Sequence, residues 1–502
     1  MNIDATSLPI NSDSTPIHSM DLIGRRATPI LVAIIFVIAI GFIATYFIDS
    51  SQTGLLIVFA TMAGGYMALN IGANDVANNV GPAVGSGALS LFAAVCIAIV
   101  FESAGALLAG GDVVSTISKG IIDPTLITDK TVFVLAMVSA LAAGALWLNL
   151  ATWVGAPVST THAIVGGVLG AAIAAAGFNV VNWTVMSKIV ASWFISPILG
   201  GVVAAAFLAF IESAIFSKSD LVAASRRWVP VLLGIMAAAF SVYLMMKGFK
   251  KIWRPNLFVI CGTGLSVFIL VGVALAPLVN RASRTMENRR HGVNKLFTFP
   301  LIFAAALLSF AHGANDVANA IGPLSAIVSV ASTDTLSAQV EIPLWVMMIG
   351  AIGISLGLAL FGAKLIRTVG KQLTNLDQSR AFCVCLSAAI TVIAASAFGL
   401  PVSSTHIAIG AVFGVGFYRE ARCMARRNAL RNRRAIIASL RARLHDAGAS
   451  TMEVVPRISC KPRKLVRRQE LLTIAAAWLV TVPVAAILAA ILFTVFAPLT
   501  GH

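Results

Sequence analysis

The heptapeptide Gly-Ala-Asn-Asp-Val-Ala-Asn stands twice in this chain, at Gly72–Asn78 and Gly313–Asn319, each time at the end of an apolar run. A second motif, Pro-Val-Ser-x-Thr-His, follows each copy, at Pro157–His162 and Pro401–His406. Copies of the first start 241 residues apart (72 to 313) and copies of the second 244 (157 to 401). Two unrelated motifs at nearly one offset mean that the chain is a duplicated unit. Carboxylates, carboxamides and hydroxyls are costly in apolar surroundings, so their repetition marks a site between two halves.

The surroundings are indeed apolar. Of 502 residues, 58% are hydrophobic and only 11% charged, with mean hydropathy +0.92, whereas soluble domains carry about 25% charged residues. Runs near the ~20 residues that cross hydrocarbon fall at about 29–48, 54–73, 86–110, 132–152, 157–177, 183–211, 229–247, 257–279, 298–318, 343–363, 381–399, 402–418 and 471–497. Several are broken by Gly, Pro or polar motifs. A β-barrel would show alternating segments of about ten residues, and runs such as Ala171–Ala176 and Ile352–Ala359 do not alternate. The 40 glycines suit closely packed helices instead. Six cysteines show no framework spacing, and the four in apolar runs read as small hydrophobes.

Charge sets the expected topology. The first 28 residues are polar and unlike a cleavable signal peptide. Arg25 and Arg26 precede the first run and predict a cytoplasmic N-terminus. The net charge of +16 is concentrated in loops, which argues against nucleic acid: 419–470 holds 15 Lys+Arg against 4 Asp+Glu, leaving 21 (36 − 15) against 16 (20 − 4) elsewhere. Counting runs from an inside start puts 212–228, 280–297, 364–380 and 419–470 on the cytoplasmic side, and all carry basic residues. Lys247, Lys250, Lys251 and Arg254 dissent, falling outside. The same count makes the runs that end in the two heptapeptides antiparallel. The fold class expected is therefore an all-α polytopic membrane protein of about 12–13 membrane segments. They form an inverted-topology repeat with broken or re-entrant helices. Its parts are a polar segment 1–28, an extra first span 29–53, repeat 1 at 54–280, a basic linker 281–297, and repeat 2 at 298–497 with the insert 419–470. The insert reads as a positive-inside loop, or more sharply as an amphipathic helix docking on anionic lipid along 419–468.

Few ionisable groups lie in the apolar runs. Among carboxylates, Asp75, Glu102 and Asp316 fall within or at their edges. Asp75 is flanked by Asn74, Asn78 and Asn79, and Asp316 by Asn315 and Asn319. A carboxylate with carboxamide and free carbonyl oxygens is a hard-oxygen cage suited to Na⁺ or a carried proton. The steps Gly81-Pro82 and Gly322-Pro323 are expected to interrupt each helix and free those carbonyls. The second motif has the opposite polarity. Pro opens a helix whose first N–H groups and dipole favour an anion. Ser159, Thr160, Thr161 and Ser403, Ser404, Thr405 add hydroxyl donors there. Hydroxyls and amides without Arg suit an oxyanion that must be released. His162 and His406 are expected beside this turn without touching substrate. Taken singly, such Ser and Thr could bond their own backbone and Asn-Asp could be a turn; duplication favours function.

The chain also resembles the inorganic phosphate transporter (PiT) family of sodium- or proton-coupled phosphate permeases. The resemblance rests on Gly72–Asn78, Phe310–Pro323 and Gly399–His406, with Phe101–Gly105, Lys119–Asp123, Val190–Pro197 and Trp478–Pro483. It implies coupling cations, Na⁺ or H⁺, at Asp75 and Asp316 with their Asn neighbours, and phosphate at the two Ser/Thr runs. It also implies a transport-coupling role for Glu102. Where the animal-type pattern has a glutamate ahead of each Pro-Val-Ser motif, this chain has Met137 and Cys385; a Gln of that pattern aligns with Leu148 or Asn149. These departures bear on stoichiometry and on the choice of oxyanion.

The function read from the sequence is secondary active uptake of phosphate by cation symport with alternating access, in the cell membrane and without a cofactor. A homodimer is left open, and no nucleic-acid partner is expected. The alternatives are a sulfate permease of the same family and, less favoured, a passive anion channel. An intramembrane hydrolase using Ser159 or Ser403 with His162 or His406 is disfavoured, since neither serine sits in a Gly-x-Ser-x-Gly turn and nothing would call for duplication. A nucleotide-driven pump would need a phosphate-binding Gly-rich loop, which this sequence does not contain.

Overall fold

The computed structural model describes residues 17–47, 52–127, 129–154, 158–248, 253, 255–333, 342–372, 376–446 and 468–500. The first half contains α1 (Ile17–Ala44), α2 (Gln52–Asn74), α3 (Val76–Gly85), α4 (Leu91–Ala109), α5 (Gly111–Ser115), α6 (Lys130–Val154), α7 (Thr160–Ala176), α8 (Trp183–Ile211), α9 (Leu221–Tyr243) and α10 (Leu257–Ala282). The second contains α11 (Arg290–Asn294), α12 (Thr298–Thr333), α13 (Leu344–Gly357), α14 (Ala363–Gln372), α15 (Gln378–Ala397), α16 (Ser404–Asp446) and α17 (Arg468–Phe496). Among the described residues the only β pairing is an isolated bridge between Ile122 and Val181. Ser90, Asn182, Asp220 and Asn256 cap α4, α8, α9 and α10 by accepting from a backbone N–H three residues on. Such caps contribute about 1 kcal/mol each and fix where the helices start.

Among the described residues, eleven helices are long and apolar enough to cross a membrane. Two of the expected spans fall outside that set, and both begin at a Pro-Val-Ser motif. Helix α7 is a shorter apolar helix of 17 residues, about 25 Å against ~30 Å of hydrocarbon. The apolar part of α16 gives way to basic residues soon after Tyr418. Both helices start buried, at Thr160 and Ser404, so they are shortened spans that begin inside the bundle.

Packing exposes the two-fold relation of the halves. Helix α2 packs on α13 as α12 packs on α4, and α7 packs on α17 as α16 packs on α8. Glycines allow the closest crossings. A Cβ on Gly72 would collide with the Ile354 carbonyl and one on Gly313 with the Glu102 carbonyl; likewise Gly357 abuts Leu69 and Gly105 abuts Phe310. These are the same crossing made twice. On this correspondence Ile354 is the mirror of Glu102, and the hydroxyls of Ser103 and Ser355 meet at 2.7 Å between α4 and α13. The fold is an inverted repeat, and the two heptapeptides lie where its halves cross.

One expectation fails. The Gly-Pro steps do not interrupt the helices: Pro82 lies inside α3 and Pro323 inside α12, which runs unbroken from Thr298 to Thr333. The only break is at Asp75, a single turn between α2 and α3 across which Asp75 N–H still reaches the Ile71 carbonyl at 2.9 Å. A proline lacks the N–H that the carbonyl four residues earlier would use. Pro82 and Pro323 thus withhold a donor from the Asn78 and Asn319 carbonyls without breaking the rod.

The dissenting Lys247 pairs with Asp112, so its charge is compensated inside the fold; Lys250, Lys251 and Arg254 lie outside the described residues. Glu212 of repeat 1 receives both Arg290 of the linker and Arg422 of α16. Of the basic insert, 419–446 continues α16 and 447–467 lies outside the described residues.

Candidate functional site

The four motifs converge. Asp75, at the turn between α2 and α3, accepts from Thr160 Oγ1 through Oδ2 at 2.7 Å and from Thr405 Oγ1 through Oδ1 at 3.0 Å. Thr160 belongs to repeat 1 and Thr405 to repeat 2. Asp316 accepts from Ser404 Oγ through Oδ2 at 2.8 Å. The amides cross between repeats: Asn78 donates to Thr405 Oγ1 at 2.9 Å, and Asn319 donates to Thr160 and Thr161 Oγ1, each at 3.1 Å. Thr161 in turn donates to the Val402 carbonyl at 3.0 Å. All of these polar side chains are buried. Helix periodicity explains the arrangement, because Asp75 and Asn78, or Asp316 and Asn319, stand three apart on one face.

The remaining predicted residues have other partners. Ser159 and Ser403 cap α7 and α16 by accepting from the N–H of His162 at 3.2 Å and of His406 at 3.3 Å. The His162 ring lies 2.7 Å through Nδ1 from Ser159 Oγ, and its centroid lies 4.9 Å from that of His406 and 3.9 Å from that of Trp193. The histidines thus pack behind the two helix starts. Asn315 faces away from Asp316. It donates to Ser396 Oγ at 2.8 Å and to the Leu400 carbonyl at 3.1 Å, and accepts from Val402 N–H at 3.2 Å. It thereby ties α12 to the segment that leads into α16. Its counterpart Asn74 is buried with Nδ2 unpartnered, and Thr152, which stands in the place of Ser396, is unpartnered too. Glu102 accepts from Asn79 Nδ2 at 2.9 Å and lies 3.2 Å from His312 Nδ1.

His312 is the residue the sequence reading missed. Its Nε2 lies 2.9 Å from Asp316 Oδ2, and one ligand atom each from Asp75, His312 and Asp316 come within 4.8 Å of one another. The signal was present: His312 stands four residues before Asp316, one helical turn away, in the second motif copy alone. Of the positions that depart from the animal-type pattern, Met137 is buried in the apolar core and Cys385 Sγ lies 3.8 Å from the Asn79 carbonyl.

A helical bundle of crossed repeats, closed around buried carboxylates and hydroxyls, is the architecture of a membrane transporter. The chain matches the phosphate transporter family over residues 71–489. It is similar to proteins named "Putative phosphate permease" from Helicobacter pylori J99 (46% identical, covering 92% of this chain and 94% of that one) and, with a strain-specific number, from Thermococcus kodakarensis (39% identical, covering 73% and 90%). A solved structure, "The sodium-dependent phosphate transporter", superposes with a TM-score of 0.76 at 33% identity, covering 88% of this chain and 99% of that one. The protein belongs to the phosphate transporter family.

Proposed function

We propose that the protein takes up inorganic phosphate across the cell membrane by symport with Na⁺ or H⁺, its halves alternating access to one central site. The observation that carries this reading is that hydroxyls of both Pro-Val-Ser motifs donate to the carboxylates of both heptapeptides. A hydroxyl has one proton to give. In this structure Thr160, Ser404 and Thr405 spend it on Asp75 and Asp316, and a hydroxyl so engaged has none for an oxyanion. A cation on the carboxylates competes for the same oxygens and releases those donors, and its charge offsets that of phosphate. Each ligand then favours the binding of the other, which is the thermodynamic content of symport. Na⁺ is favoured by the name of the solved relative.

The transport unit comprises repeats 54–280 and 298–497 joined by the basic linker 281–297, with a cytoplasmic N-terminus. Radiolabelled phosphate uptake into proteoliposomes tests the reading, with imposed Na⁺ or pH gradients and sulfate as competitor. Gradient-driven accumulation that sulfate does not suppress is the expected result. Equilibration without accumulation would mean a channel, and preferential sulfate uptake the sister permease.

A further inference from the structure

The two-fold relation makes one difference between the halves conspicuous. Gly313 crosses α4 against Glu102, and Gly72 crosses α13 against Ile354. The residue before Gly313 is His312; the residue before Gly72 is Ile71. So where one crossing carries the ionisable pair Glu102 and His312, its mirror carries Ile354 and Ile71, all four buried. The duplicated core is therefore unequal at its most costly position, since ionisable groups this deep need partners.

The pair has a defined effect on its neighbour. Glu102 is pinned by Asn79 at 2.9 Å and stands 3.2 Å from His312 Nδ1. The Ser404 hydroxyl donates to Asp316 Oδ2 at 2.8 Å, and His312 Nε2 lies 2.9 Å from the same oxygen as an ion-pair contact without hydrogen-bond geometry. Asp316 Oδ1 is buried and has no hydrogen-bond partner. Asp75 differs, for a threonine hydroxyl holds each of its oxygens. A cation at Asp75 must displace a donor, whereas a cation at Asp316 meets a bare oxygen.

We propose that Glu102 and His312 act as one positioning unit that holds Asp316 by Oδ2 and leaves Oδ1 free, so that the two carboxylates bind coupling cations with unequal affinity. This rests on the symport reading and names the origin of its cation order: Asp316 fills first, Asp75 second. Glu102 acts through His312 and touches neither cation nor phosphate.

Two readouts on the full-length protein test it: the NaCl concentration that half-maximally raises the melting temperature in detergent, with choline chloride balancing ionic strength, and the Na⁺ dependence of phosphate uptake. Glu102→Gln and His312→Asn each raise the Na⁺ midpoint about tenfold, which is about 1.4 kcal/mol of cation affinity. The double variant shifts it little further, and Glu102→Asp recovers part of the loss. The phosphate half-saturation at saturating Na⁺ stays near that of the unaltered protein. A merely structural role would lower the melting temperature at every salt concentration and leave the midpoint in place, which overturns the proposal. So does a double variant whose shift is the product of the two single shifts. If the unaltered protein accumulates phosphate on a pH gradient and ignores Na⁺, the transport reading stands and this one falls; if it accumulates none, both fall.

Discussion

Thr405→Val removes one oxygen from the protein and leaves two buried groups of the opposite repeat without their partner. Valine keeps the shape of threonine, so the loss is polar. Thr405 Oγ1 donates to Asp75 Oδ1 at 3.0 Å and accepts from Asn78 Nδ2 at 2.9 Å. A hydrogen bond to an ionised carboxylate contributes about 1.5–3 kcal/mol, and an orphaned buried amide costs about 1–3 kcal/mol. Taking the lower half of both ranges, the two losses come to about 3 kcal/mol, or roughly a hundredfold in an equilibrium or a rate. The assay is initial phosphate uptake into proteoliposomes, normalised to the amount of monodisperse protein incorporated. Thr405→Ser is the companion, since it restores the hydroxyl and sacrifices only a methyl group, and it should retain most of the activity. Uptake by Thr405→Val within threefold of the unaltered protein would refute the reasoning, because the cross-repeat hydroxyl would then be incidental to the site.

Asp75→Asn and Asp316→Asn should each abolish gradient-driven accumulation while the protein still reaches the membrane, measured by uptake alongside surface labelling. Full activity in either removes its cation-site assignment. Gly313→Ala places a methyl against the Glu102 backbone, and overpacking of this kind costs typically 1–3 kcal/mol. The melting temperature should fall by several degrees in a thermal-shift assay, and an unchanged value would mean that the crossing can open without penalty. Ser103→Ala, by contrast, removes one hydroxyl of the pair between α4 and α13 and should lower the melting temperature by less than Gly313→Ala does.

The fold was legible because hydrocarbon imposes it: apolar runs must be helices, and the repeated motifs fix the pairing of the halves. Convergence of Asp75, Asp316 and the two Ser/Thr runs was legible for the same reason. What escaped was set by tertiary contact. Pro82 and Pro323 looked like helix breakers, yet neighbouring helices hold both segments in line. Asn315 looked like a partner of Asp316 and instead spans to Ser396, Leu400 and Val402, a partnership with residues some eighty positions away. His312 lies outside what the two motif copies share, since Ile71 stands in its place before Gly72.

That segment tie has a further consequence. Asn315 is latched to the entry of α16, while Nδ2 of its counterpart Asn74 and Oγ1 of Thr152 have no hydrogen-bond partner. In a molecule of two identical inverted halves, exchanging the latched and unlatched sides would return the same structure facing the other way, at the same energy. Here the exchange moves the latch from the half that contains His312 to the half that contains Ile71. Under the proposed alternating access the two orientations are therefore conformers of unequal free energy, and the carrier has a resting preference written into its sequence. On that reading its outward and return strokes are unequal climbs.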